Sequence, residues 1–195
     1  MAKEKKERKL IILQSLAGML EERDAIKITT AELAKRSEIS EAAIYKHFPS
    51  KRRIFEELVI FFEDNIFPRI SMMKKEMSPQ DLSGNIIALV LNFCDKNKGF
   101  SKILTREAFT ADESKINEKV SIIFDKLNLE IKQSLQEFEK VNKKKINLNI
   151  ALAADLLLAC LEGQIQSFVR SKFRKDVAQS WTEQWDFLAK VIFPN

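Results

Sequence analysis

The chain has 195 residues with only 4 Gly, 4 Pro, 2 Cys, 1 His and 1 Tyr, and it is 45% apolar and 31% charged. So few turn-forming residues argue against a sandwich or barrel of many short strands, and the lone His47 with the distant, CxxC-free Cys94 and Cys160 excludes a two-imidazole site and offers no zinc or redox motif. The net charge of +5 belongs wholly to the first quarter, since residues 1–53 carry 13 Lys/Arg against 8 Asp/Glu and residues 54–195 carry 20 of each.

A small basic part joined to a larger neutral one suggests a nucleic-acid end and a regulatory or assembly end. The two cysteines read as small core residues of a reduced protein. No uninterrupted apolar run approaches the roughly 18 residues of a membrane span. The charged N-terminus is not followed by a cleavable signal pattern, so a cytoplasmic location is expected.

In chain order, Leu10, Leu13, Leu16, Ala17 and Leu20 recur at helical spacing and predict a first amphipathic helix with these residues on its inner face. The polar stretch Glu21 to Lys27 interrupts it. Thr29 or Thr30 then caps a short helix through Arg36, whose inner face is Leu33 and Ala34. After Ser37-Glu38-Ile39, Ser40 caps a second short helix from Glu41 to about His47, stopped by Pro49, and Ser50 caps a longer helix beginning at Lys51. Two short helices joined by a tight turn and braced by longer ones predict a helix-turn-helix. Further helices are expected near 79–95, 100–110, 115–140, 148–173 and 177–193, making the chain all-α. Asn147 to Cys160 is apolar on nearly every side and needs cover from its own domain and a partner subunit. Trp181, Trp185, Leu188 and Ile192 form a second stripe, either core or interface. Two such helices paired across a two-fold axis would make a four-helix bundle and hence a homodimer. The expected division is a helix-turn-helix domain at 1–53 and a helical dimerisation and partner-binding domain at 54–195.

The chemistry concentrates between Ile28 and Lys51. Ala42 and Ala43 keep the second short helix thin enough to approach base edges, with Glu41, Tyr45 and Lys46 on or beside that face. In a major groove Lys46 can reach a guanine acceptor, Glu41 a cytosine amine, and an alanine methyl a thymine methyl. Thr29, Thr30, Tyr45, His47 and Lys51 suit phosphate contacts, and Ser40 opens the same helix. Each residue has a plainer explanation: Phe48 as core, Lys46 and Lys51 as ordinary surface charges, His47 as structural. The conjunction of helix-turn-helix spacing, confined positive charge and both rare polar rings on one helix favours DNA. No phosphate-binding Gly loop, metal cluster or Cys–His pairing supports an enzyme, and no cofactor or metal is expected.

The segment ITTAELAKRSEIS with SEAAIYKHFPSK strongly resembles the TetR-type DNA-binding domain. ILQSLAGMLE (from Ile12), FFEDNIFPRI (from Phe61), ILTREA (from Ile103) and EGQIQSFVRSKF (from Glu162) extend the likeness, over nearly the whole chain, to the nucleoid occlusion branch of that superfamily. The resemblance implies a TetR-like fold and a homodimer on palindromic chromosomal sites. It also implies contact with FtsZ, the tubulin-like protein of the division ring, disruption of FtsZ polymers, and no septum over the nucleoid. Its FtsZ-facing positions fall on Phe61, Arg69, Leu89, Asn92, Lys96 and Asn97, although Phe61 and Leu89 read as core from the residues alone. The alternative is a ligand-responsive TetR-type repressor with an apolar pocket. Four residues depart from the pattern of this branch. Glu38 stands at a turn position that commonly has Gly, where a positive φ would cost about 1 kcal/mol. Pro68 is expected to kink or end the fourth helix just before Arg69. Lys96 replaces an Arg and loses its planar fork, and Asn92 replaces a Gly.

Overall fold

The computed structural model describes residues 2–22, 28–108 and 114–194, the side chains of 2–6 and 114 excepted. Among them are nine α-helices and no strand: α1 (Ala2–Glu22), α2 (Thr30–Arg36), α3 (Glu41–His47), α4 (Lys51–Glu76), α5 (Pro79–Lys96), α6 (Lys98–Leu104), α7 (Ser114–Asn142), α8 (Ile150–Arg170) and α9 (Val177–Ile192). The chain is therefore all-α. The sequence extended α6 to residue 110, but it ends at Leu104, where Arg106 turns into the left-handed region (φ 63°) and its N–H bonds the Ile103 carbonyl at 3.0 Å. Residues 109–110 of that expected helix, most of the polar stretch after Glu22, and the Lys3 to Lys6 side chains lie outside the described residues.

The chain packs as two compact units, Met1–Phe62 with Asn97–Val120, and Glu63–Lys96 with Ser121–Asn195. In the first, α1 buries Ile12, Leu13, Leu16, Met19 and Leu20 against α2, α3 and α6. This corrects the expected inner face. Leu10 is 39% exposed, and the buried arc runs i, i+1, i+4, i+7, i+8 from Ile12, just past Leu10 on the helix wheel. Ala17 is only half-buried, because it serves the packing through its backbone. A Cβ placed on Gly99 of α6 would lie 2.0 Å from the Ala17 carbonyl oxygen, so only glycine lets the two helices approach this closely. Ile44, Phe48, Ile54 and Phe55 complete this core around the helix-turn-helix, and Phe62 stacks on Phe100 at 5.1 Å.

In the second unit α5 packs on α8 and α9. The aromatic stripe of α9 faces inward. Trp181 is buried and donates its indole N–H to the Gly84 carbonyl at 2.9 Å, Trp185 lies where a Cβ on Gly84 would be, and Ile192 is buried. Trp185 also meets Phe193, which packs on Phe138. Of the two readings left open for that stripe, Trp181, Trp185 and Ile192 are core, and Leu188 is half-buried beside the exposed Phe187. Asn147 ties down the end of α9, its backbone N–H donating to the Ile192 carbonyl and its side chain to those of Val191 and Phe193.

Pro68 does not end α4, which continues to Glu76. Proline removes the N–H that would reach the Asp64 carbonyl, but both residues are on the exposed side, where water can take the freed acceptor. By length and composition α8 alone, among the described residues, is apolar enough to cross a membrane, although the sequence showed no such uninterrupted run. It carries Asp155 and Glu162, and one face, including Ala153, Ala154, Leu157, Leu161, Ile165 and Phe168, is buried in its own unit. Its apolarity thus has a core-packing cause. Its other face leaves Leu152 and Leu156 exposed, and α9 leaves Phe187 68% and Val191 54% exposed.

Candidate nucleic-acid interface

Local chemistry builds the helix-turn-helix. Thr29 is the N-cap of α2 in a full capping box: its hydroxyl accepts the Glu32 N–H at 3.2 Å while the Glu32 carboxylate accepts the Thr29 N–H at 3.1 Å. The Thr29 hydroxyl also donates to that carboxylate at 3.1 Å, so its structural duty is filled within the cap. The turn closes as a Schellman motif, with the Ile39 N–H on the Ala34 carbonyl at 3.1 Å and the Glu38 N–H on the Lys35 carbonyl at 3.3 Å. Glu38 has φ 55°, the left-handed conformation in which a residue other than glycine is strained. Ser40 caps α3 by accepting the Ala43 N–H, and Ser50 caps α4 by accepting the Arg53 N–H, both at 3.2 Å.

These caps orient α3 so that Ile44 and the following Phe48 point into the core while Glu41, Ala42, Tyr45 and Lys46 are exposed together. Ala43 and His47 are half-buried at the edges of that face. Thr30, at the start of α2, is brought onto α3: its hydroxyl lies 2.6 Å from the Glu41 carboxylate and 3.2 Å from the Tyr45 hydroxyl. Lys51 is half-buried at the start of α4, its ammonium 5.8 Å from the centre of the Phe55 ring.

The positive charge is unevenly available. Arg53 is held by Glu56 and Glu57 at 2.8 Å each, Arg52 by Glu56 at 3.5 Å, and Lys9 by Glu57 at 3.9 Å. Arg36 bonds Glu22 at 2.8 Å, and that hydrogen bond raises its already high pKa, fixing the charge. Lys46 is exposed and, among the described residues, in no ion pair. The capping role of Glu32 and the Thr30, Glu41 and Tyr45 cluster were not read from the sequence. An S/T-x-x-E signature at Thr29 could have revealed the first, but the second joins residues 11 and 15 apart and has no local signal. Among the described residues no group of three or more His, Cys, Asp or Glu is placed to hold a metal. Cys94 is buried and Cys160 half-buried, neither in a disulfide, and burial pushes the Cys160 thiol up.

This architecture is that of the TetR-type regulators. The model of bacterial regulatory proteins of the tetR family matches residues 12–58, and the SlmA-like model of the tetracyclin repressor-like C-terminal domain matches residues 82–192. The fold agrees with solved structures. A FadR transcriptional regulator from Bacillus subtilis, in complex with stearoyl-CoA, superposes with TM-score 0.75 at 14% identity over 94% of this chain and 98% of the other. The TetR family transcriptional regulator PfmR from Thermus thermophilus superposes with TM-score 0.73 at 17% identity over 92% and 97%. Full-length relatives are more similar in sequence. The nucleoid occlusion factor SlmA of Marinomonas sp. (strain MWYL1) is 36% identical over 100% of both chains, and that of Shewanella amazonensis is 40% identical over 100% of this chain and 99% of its own. The chain belongs to the SlmA family of nucleoid occlusion factors, within the TetR-type superfamily. It is a DNA-binding regulator and not an enzyme.

Proposed function

We propose that the chain is a nucleoid-associated inhibitor of cell division in the cytoplasm, which binds palindromic chromosomal sites as a homodimer, binds FtsZ and disrupts its polymers so that no division ring forms over the nucleoid. The observation that carries this reading is the match to relatives named nucleoid occlusion factor SlmA along the whole chain, the C-terminal part included. In this reading residues 1–53 are the DNA-binding domain and 54–195 the dimerisation and partner-binding domain.

On the DNA side, Ala42, Ala43 and Lys46 approach base edges, while Thr29, Thr30, Ser40, Tyr45, His47 and Lys51 lie toward the phosphates. Glu41 belongs to the same face. The exposure of Glu41, Ala42, Tyr45 and Lys46 on one side of α3 supports this assignment. In a dimer two such helices enter successive major grooves about 34–36 Å apart.

Dimerisation through α8 and α9 is supported by apolar surface that no described residue of the protomer covers. Leu152 and Leu156 recur one turn apart on α8, and Gly163, on the same face, would meet nothing within 4 Å if it carried a Cβ. Beside them a groove of about 520 Å³ is lined by Cys160, Ser180, Glu183, Gln184, Phe187 and Leu188. A helix with apolar residues on both its core face and its outer face calls for burial on both.

For FtsZ, Leu89, Asn92 and Lys96 share one face of α5 at i, i+3 and i+7 spacing, with Asn92 and Lys96 exposed and Leu89 half-buried. Arg69 is exposed on α4 in the same unit. Phe61 and Asn97 are half-buried and belong to the other unit. The test is sedimentation of FtsZ polymers with this protein, with and without the duplex it selects. Loss of pelleted polymer, enhanced by DNA and weakened by Lys96→Asp while DNA binding persists, is expected. Unchanged pelleting would overturn the reading.

A further inference from the structure

The contacts at the mouth of the helix-turn-helix set the direction of two hydroxyl protons. Thr30 has one hydroxyl proton, and its oxygen lies 2.6 Å from Glu41 Oε1. A carboxylate only accepts, so that proton goes to Glu41. The 3.2 Å contact between Thr30 and Tyr45 must then run from the phenol O–H to a lone pair on the threonine oxygen. The result is a relay, Tyr45 to Thr30 to Glu41, on an exposed surface where Tyr45 is 48% accessible. Both hydroxyls thus point their only protons inward, and their outward lone pairs repel a phosphate oxygen.

We infer that Glu41 is a specificity-determining residue that couples base reading to phosphate gripping, an inference that rests on the DNA-binding reading above. The Glu41 carboxylate and the DNA phosphates compete for the same two protons. Where a base edge offers Glu41 a donor, such as a cytosine amine, the carboxylate is satisfied by the base and Thr30 and Tyr45 turn their protons to the backbone. Where the edge offers only acceptors, the carboxylate keeps the relay and faces the phosphates with two hydroxyls that cannot donate. A wrong base therefore loses its own contact and two backbone contacts together. The device needs no conformational change beyond rotation about C–O bonds and small side-chain shifts, because Glu41 and Tyr45 stand one turn apart on α3 beside Thr30.

The experiment uses the full chain, a duplex enriched from a random pool by the unmodified protein, and a scrambled duplex of equal length, compared by fluorescence anisotropy. Glu41→Ala is expected to tighten scrambled binding about tenfold and, by removing the base contact, to weaken the enriched duplex about fivefold or more, so discrimination collapses. In the unmodified background Tyr45→Phe is expected to weaken only the enriched duplex, and in the Glu41→Ala background to weaken both. Glu41→Gln removes the charge at nearly constant shape and should move discrimination the same way, which preserves the test if circular dichroism shows Glu41→Ala to be less folded. Equal effects of Tyr45→Phe in both backgrounds, or Glu41 variants that bind both duplexes proportionately, overturn the coupling alone. Failure of the unmodified protein to enrich any duplex overturns the DNA-binding reading and this inference with it.

Discussion

Replacing Glu38 by glycine should stabilise this protein. Glu38 sits at φ 55° after α2, in the turn between the two short helices. A residue with a Cβ in that region carries strain of about 1–2 kcal/mol. Glycine removes the strain but adds about 0.5–1 kcal/mol of chain entropy lost on folding. The turn's hydrogen bonds, from the Glu38 and Ile39 N–H groups to the Lys35 and Ala34 carbonyls, are backbone contacts that glycine keeps. Among the described residues the exposed Glu38 carboxylate makes no hydrogen bond or ion pair that would be lost. The net expectation is a gain of about 0.5–1 kcal/mol, or roughly 1–4 °C in Tm for a chain of this size. Urea denaturation followed by circular dichroism should show a higher midpoint at unchanged slope, with Glu38→Ala near the parent because alanine keeps the Cβ. A glycine variant no more stable than the parent would refute the strain argument.

Lys51→Ala should weaken binding to all duplexes alike and lower the salt slope by about one unit, whereas Lys46→Ala should cost about 1–3 kcal/mol of discrimination at one base pair; anisotropy across salt concentrations separates them. Gly99→Ala forces a methyl to within 2.0 Å of the Ala17 carbonyl oxygen and should destabilise the first unit by about 1–3 kcal/mol, read from the urea midpoint. Leu156→Lys together with Phe187→Glu should convert dimer to monomer in sedimentation velocity without loss of helix content, since both residues are exposed in the protomer. The Glu139 carboxyl is held below its ordinary value by its hydrogen bond from Lys145 at 2.7 Å and the Ile146 N–H at 3.1 Å, with burial opposing. Its NMR titration midpoint should therefore lie below the ordinary glutamate value and rise in Lys145→Ala. Because the folded value is the lower one, its contribution to stability is complete above the unfolded value and fades as pH falls through the folded one.

What could be read directly from the chain was local. Helix starts followed from Ser40 and Ser50, whose hydroxyls cap α3 and α4. Glu38 stood out only through the resemblance, at a position that commonly has glycine, and its φ of 55° came from the structure. Caps and turns act over three or four residues, so the residues that decide them are adjacent in the sequence. Family membership was legible for a related reason, since motifs along the whole chain carry it.

The identity of each buried face was less legible. Helical spacing grouped Leu10 with Leu13, Leu16, Ala17 and Leu20, and only the packing of α2, α3 and α6 against α1 centres the buried arc on Leu16, taking in Ile12 and leaving Leu10 exposed. The tryptophan stripe of α9 suits an interface or a core equally well by spacing. It is core because the bare Gly84 backbone on α5 accepts the Trp181 indole proton and leaves room for the Trp185 ring. The relay from Tyr45 through Thr30 to Glu41 had no sequence signal either. Local chemistry supplied the helices and the turn, which the sequence alone determined. Only the tertiary arrangement of α2 on α3 decided that three polar side chains, up to 15 residues apart, share two protons.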